Sequence, residues 1–157
     1  MKTKLTDFER KLYSEKEWKS SADPWIIEHF EFLGFKCPRD FMRIRFFDFL
    51  NLDCVDNNRA EEMLSALSDF LFPFRDDSYD CKKRFEEKKY IRKWIAEHTP
   101  TIDNVRIKDV LFDRNLSKEG FLDIFDCITK CFYNSKEYDK RKYKYSSIHD
   151  IPRSSKS

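Results

Sequence analysis

Only two glycines, Gly34 and Gly120, occur in a chain of 157 residues. Two-residue β-hairpins and phosphate-cradling loops need a positive φ, which glycine adopts without a Cβ clash. A chain this poor in glycine is predicted to be all-α, with helices joined by short Asn, Asp and Ser turns. Apolar residues make up 40% of it and include 16 Phe, against 38% charged, so a core can be filled and wholesale disorder is excluded.

The helix boundaries follow from capping signals. Thr6-Asp7-Phe8-Glu9 reads as a capping box opening a helix to about Lys19, with Phe8, Leu12 and Trp18 inward. Asp23-Pro24 restarts the chain as N-cap and first-turn proline, and Gly34 ends that helix. Pro38 opens a third helix to about Asn51. Phe41, Met42, Ile44, Phe46, Phe47, Phe49 and Leu50 make it apolar on nearly every face, hence central. Asp56-Asn57-Asn58 caps a fourth, in which Ala60, Met63, Leu64, Leu67 and Leu71 recur at helical spacing. Beyond Phe72-Pro73 come a long charged helix to His98, a short helix near 103–112, and a helix to about Asn134 that buries Phe121, Phe125, Ile128 and Phe132. The expectation is six to seven helices.

A faint internal echo organises them. Trp25-Ile26-Ile27-Glu28-His29 returns as Trp94-Ile95-Ala96-Glu97-His98, and each copy is followed by a basic pair around isoleucine, Arg43-Ile44-Arg45 and Arg106-Ile107-Lys108. Two similar helical units in tandem, 1–75 and 76–135, are predicted to share one core. The stretch 136–157 has seven Lys/Arg against three Asp/Glu and reads as a basic, disordered tail.

The run from Leu52 to Leu64 resembles a helix-hairpin-helix motif, with Leu52, Val55, Ala60, Met63 and Leu64 at the positions the family keeps apolar. With the preceding helix, residues 31–73 are also similar to the C-terminal domain of the bacterial RNA polymerase alpha subunit. The resemblance implies a compact helical unit and, in its DNA-binding members, backbone N–H groups held against phosphate. This chain departs from that pattern. Cys54 and Asp56 stand where the family has its turn glycines. A β-carbon obstructs the approach and a carboxylate repels phosphate, so Asp56 is better read as a helix N-cap.

No constellation points to catalysis: the sequence offers neither a nucleophile motif nor a phosphate loop, and Glu28 and Glu97 have no evident catalytic partner. His29 and His98 sit near helix C-termini, where a cationic ring is favoured. Cys127 and Cys131, four apart, offer half of a zinc site or two small core residues, and no second pair completes the site. No catalytic residue, metal, cofactor or small-molecule substrate is therefore expected. Five cysteines without a Cys-x-x-Cys pair, no leader-like start and no membrane-length apolar run lead to the expectation of a reduced, cytoplasmic protein that does not enter a membrane.

The net charge of +2 gives no strong field toward nucleic acid. The expected function is that of a non-enzymatic helical protein-interaction module, a small regulator or inhibitor. Its partner contacts fall on Phe41, Arg43, Arg45, Arg59, Arg106 and Lys108, because aromatics and Arg dominate interface hot spots. The alternative is a DNA-binding or transcription-associated module that uses the degenerate hairpin and basic rim, with Asn57, Asn58, Arg59, Lys140, Arg141 and Lys142 touching nucleic acid.

Overall fold

The computed structural model describes residues 7–53, 55–73, 81–113, 115–135 and 145–151. Among these the chain is all-α: α1 (Asp7–Tyr13), α2 (Glu15–Lys19), α3 (Pro24–Phe32), α4 (Phe46–Leu50), α5 (Asn57–Leu71), α6 (Cys81–His98), α7 (Ile107–Leu111) and α8 (Lys118–Tyr133), with three short 3-10 turns. Buried side chains from α2 through α8 join a single apolar cluster. At its centre α8 packs on both α4 and α5, while α6 and α7 close over α8.

Local chemistry sets most of the boundaries. The Asp56 carboxylate accepts from Arg59 N–H at 2.9 Å and starts α5; the Ser117 hydroxyl accepts from Gly120 N–H at 3.1 Å and starts α8. The predicted first helix is split in two, because Ser14 turns extended and caps α2 through Glu17 N–H. α3 begins at Pro24 as expected, and the chain leaves it through Gly34 at φ +96°.

The continuous helix predicted over 38–51 does not form. A 3-10 turn, Pro38–Phe41, is held by the Asp40 carboxylate, which accepts from the N–H groups of Lys36 and Cys37. The chain then turns at 42–43 and is extended at Arg45 before α4. Phe46 N–H donates to Val105 O, and Ile107 N–H donates to Ile44 O, each at 3.0 Å. Arg45 and Arg106 thus form an antiparallel bridge that joins the starts of α4 and α7. The backbone groups an uninterrupted helix would have paired along the sequence are paired across the molecule instead.

The bridge also fixes an internal correspondence. α4, a six-residue turn and α5 are matched by α7, a six-residue turn and α8 at a constant offset of 61 residues. The N-caps Asp56 and Ser117 coincide in this register. So do the buried faces: Ala60, Met63, Leu64, Leu67, Ser68 and Leu71 stand opposite Phe121, Ile124, Phe125, Ile128, Thr129 and Phe132. The Trp-Ile-x-Glu-His echo does not share this offset. Its copies lie 69 residues apart, and Trp25 is 44% exposed whereas Trp94 is 6% exposed.

Residues 145–151, assigned from sequence to a disordered tail, are ordered against the first unit; 136–144 and 152–157 lie outside the described residues. Tyr145 N–H donates to Asn51 O, Asp53 N–H donates to Tyr145 O, and Ile148 N–H donates to Leu33 O at 2.8 Å. Ile148 and Ile151 are buried. These two isoleucines seat a short strap, whose turn is capped by Ser147 and Asp150.

Candidate functional site

The residues singled out from sequence separate into three groups. Phe41 belongs to the core: it is 0% exposed, stacked on Phe35 at 4.1 Å and edge-on to Phe30, so it offers nothing to a partner. The Arg-Ile-basic elements are brought together by the Arg45–Arg106 bridge, but Arg45 holds the fold. Its Nε and NH2 grip both oxygens of the buried Asp48 at 2.9 and 2.8 Å, and NH1 donates to Asp103 O. Arg106 is half-buried and serves as N-cap of α7, where its N–H donates to Asp109; Lys108 is half-buried and Arg43 exposed. Arg59, Asn57 and Asn58 are exposed in the first turn of α5. Lys140, Arg141 and Lys142 lie outside the described residues.

Several amides of the two six-residue turns are bonded within the fold. In the first, Asp53 N–H is taken by Tyr145 O at 2.7 Å and Val55 N–H by Leu52 O. In the second, the Glu87 carboxylate accepts from Ser117 N–H at 2.7 Å and from the Ser117 hydroxyl at 2.9 Å, and Asp113 accepts from Asn115 N–H and the Tyr90 hydroxyl. Burial, then the bond to Asp113, pushes the Tyr90 hydroxyl pKa up. A Cβ at Gly120 would meet the Glu87 carboxyl at 2.9 Å, so a larger residue there would displace that flexible side-chain end. A carboxylate therefore occupies the place beside the α8 N-terminus that an anionic ligand would need.

The surface that sequence reasoning missed lies between α3 and α5. Trp25, Glu28, His29 and Phe32 on α3, with Arg59 and Glu62 on α5, line an open groove of about 650 Å³. Trp25 and Phe32 are 44% and 69% exposed, two turns apart, while Ile26, Ile27 and Phe30 fill the opposite, buried face. The sequence carries a signal for this. α3 has apolar residues on both faces, and a nine-residue helix at the edge of a core can bury only one.

The two helices that flank the groove carry an excess of carboxylates. α3 and α5 together carry Glu28, Glu31, Glu61, Glu62 and Asp69 against Arg59 alone. Asp69 pairs with Lys118 at the far end of α5, and Glu31 has Lys19 at 4.0 Å. α6 is its opposite, with seven Lys/Arg against three Glu. On that helix Phe85 is 61% exposed under the Lys89 ammonium, 4.8 Å from the ring centroid.

His98 is held by the fold: its Nδ1 lies 2.7 Å from Trp94 O and its ring stacks on Trp94 at 4.0 Å. Cys37, Cys127 and Cys131 are half-buried free thiols, and burial pushes the Cys37 and Cys127 pKa values up. Among the described residues no three His, Cys, Asp or Glu gather as metal ligands, and no helix is long and apolar enough to cross a membrane. No protein-family model, curated protein or solved structure matches this chain.

Proposed function

We propose that this chain is a non-enzymatic protein-interaction module whose contact surface is the α3–α5 groove. The observation that carries the reading is the exposure of Trp25 and Phe32 on one helix face. Large aromatics are costly to leave in water, and they dominate binding energy where they enter a partner's pocket. The compact scaffold behind α3 holds the two rings at a fixed spacing, so little ordering is needed when a partner docks.

The competing reading, DNA binding through the hairpins, loses support from the same surfaces. Asp53 N–H in the first turn donates to Tyr145 O, and Ser117 and Asn115 N–H in the second donate to Glu87 and Asp113. Repulsion by Asp56, Glu87 and Asp113 acts against any phosphate brought there.

The test is affinity capture from the native host with the wild-type chain and with a Trp25→Ser/Phe32→Ser variant, beside a gel-shift series on duplex DNA at low salt. The expected result is a partner retained by wild type and lost with the variant, since truncating one hot-spot aromatic costs about 2 kcal/mol or more. A partner held equally by both proteins, or a salt-sensitive DNA shift, overturns the assignment.

A further inference from the structure

From the charge around the groove we infer that its partner is a cationic amphipathic helix, with two apolar residues about two turns apart and Lys or Arg beside them. This rests on the reading that α3 and α5 form the contact surface. Trp25 and Phe32 are separated by seven residues, which is about 10.5 Å along a helix. A partner helix laid along the groove presents its own residues at i and i+7 at that same spacing, the helix-in-groove arrangement.

Charge selects the kind of helix. Glu28 and Glu62 line the groove with Arg59 and His29, so two carboxylates face one guanidinium there. Neither α3 nor α5 carries a Lys or Arg other than Arg59. Closing the groove against an acidic or neutral segment would leave two desolvated carboxylates with one guanidinium between them, whereas Lys and Arg flanking the apolar anchors complete the balance. Nucleic acid is disfavoured here for the same reason. The long alkyl stems of Lys and Arg also cover aromatic surface while their charged ends reach the carboxylates.

The probe is a synthetic 18-residue Leu/Lys amphipathic helix, compared with its Leu/Glu counterpart. Binding is followed through tryptophan emission, because Trp25 is exposed whereas Trp18 and Trp94 are buried. The Leu/Lys peptide is expected to bind and shift that emission, and the Leu/Glu peptide to leave it unchanged. Glu28→Gln/Glu62→Gln and, separately, Phe32→Ser are each expected to weaken binding at least tenfold. Asp126→Asn, an equal loss of charge per site on the exposed face of α8, leaves it unchanged. Equal binding of the two peptides, or an unaltered affinity in the Gln variant, overturns the inference. The broader reading fails separately: it falls if Trp25→Ser/Phe32→Ser leaves capture of the native partner intact. If that capture is lost while the Leu/Lys peptide does not bind, only the cationic assignment is overturned.

Discussion

Gly34→Ala is the substitution whose consequences the structure specifies most closely. At φ +96° an alanine is strained by about 1–2 kcal/mol, because its Cβ crowds the following carbonyl. The new Cβ would also lie 3.1 Å from Ile148 Cγ1 and 3.1 Å from His149 Nε2. The exposed His149 ring can swing away. Ile148 cannot, since it is 1% exposed and its N–H is bonded to Leu33 O. Overpacking at one such contact adds about 1 kcal/mol, the lower end of its usual range. The expected total of about 2–3 kcal/mol corresponds to a fall in Tm of about 5–10 °C for a domain of this size.

Urea unfolding measures the sum, and hydrogen exchange at Ile148, Tyr145 and Asp53 reports whether the strap has moved. In the wild type these three amides are bonded between the strap and the first unit, so exchange should accelerate together at all three. Part of the cost should disappear in an Ile148→Ala background, where Cγ1 is absent. A Gly34→Ala protein within about 0.5 kcal/mol of wild type would refute the whole argument. A full cost that persists unchanged in the Ile148→Ala background, with Ile148 protection intact, would leave only the backbone strain and refute the contact.

Arg45→Ala leaves the Asp48 carboxylate buried without its bidentate partner and should cost about 2–3 kcal/mol; additivity with Asp48→Ala in a double-mutant cycle would show that the pair is not coupled. Asp123 has its pKa raised above the ordinary 3.8 by burial and then by Glu119 and Glu87, so its charged form is disfavoured in the folded protein. The associated stability is present below pH 3.8 and is lost as pH rises through the folded value; Asp123→Asn should therefore raise Tm at pH 7 and give no advantage in acid, and a pH-independent difference would contradict this. Cys127, with its pKa raised by burial and then by Asp126, should react with iodoacetamide at pH 8 more slowly than an unstructured cysteine, as followed by mass spectrometry; an equal rate would contradict the burial argument.

The helical class and several caps were legible because they depend on near neighbours: Asp56 reaches Arg59 N–H, and Pro24 and Gly34 bound α3 by backbone geometry. The break at 42–45 was not legible, because its cause lies about 60 residues away in the bonds from 44 and 46 to 105 and 107. The strap at 145–151 escaped for a similar reason. Its composition is that of a tail, and only contact with Leu33, Asn51 and Asp53 makes burial of Ile148 worthwhile. Sequence pointed to Phe41 as a contact residue, yet Phe41 is 0% exposed and Trp25 is 44% exposed. Aromatic composition says nothing about which ring finds the interior when both flank helices that are apolar on more than one side.

The 61-residue register narrows where function can reside. Within it, the short helix, the turn, the N-cap and the buried face correspond position for position, so these parts build the scaffold. What precedes each unit does not correspond. α3 is nine residues long, carries two Glu and no Lys or Arg, and presents Trp25 and Phe32 outward. α6 is eighteen residues long, strongly basic, and buries Trp94. Shared positions answer to packing, which α5 and α8 need alike. The exposed aromatics and the segregated charge fall outside the shared register, where packing does not demand them. That contrast is the physical reason for proposing α3 as the place of partner recognition, apart from the two turns, where Asp53, Asn115 and Ser117 N–H are bonded within the fold.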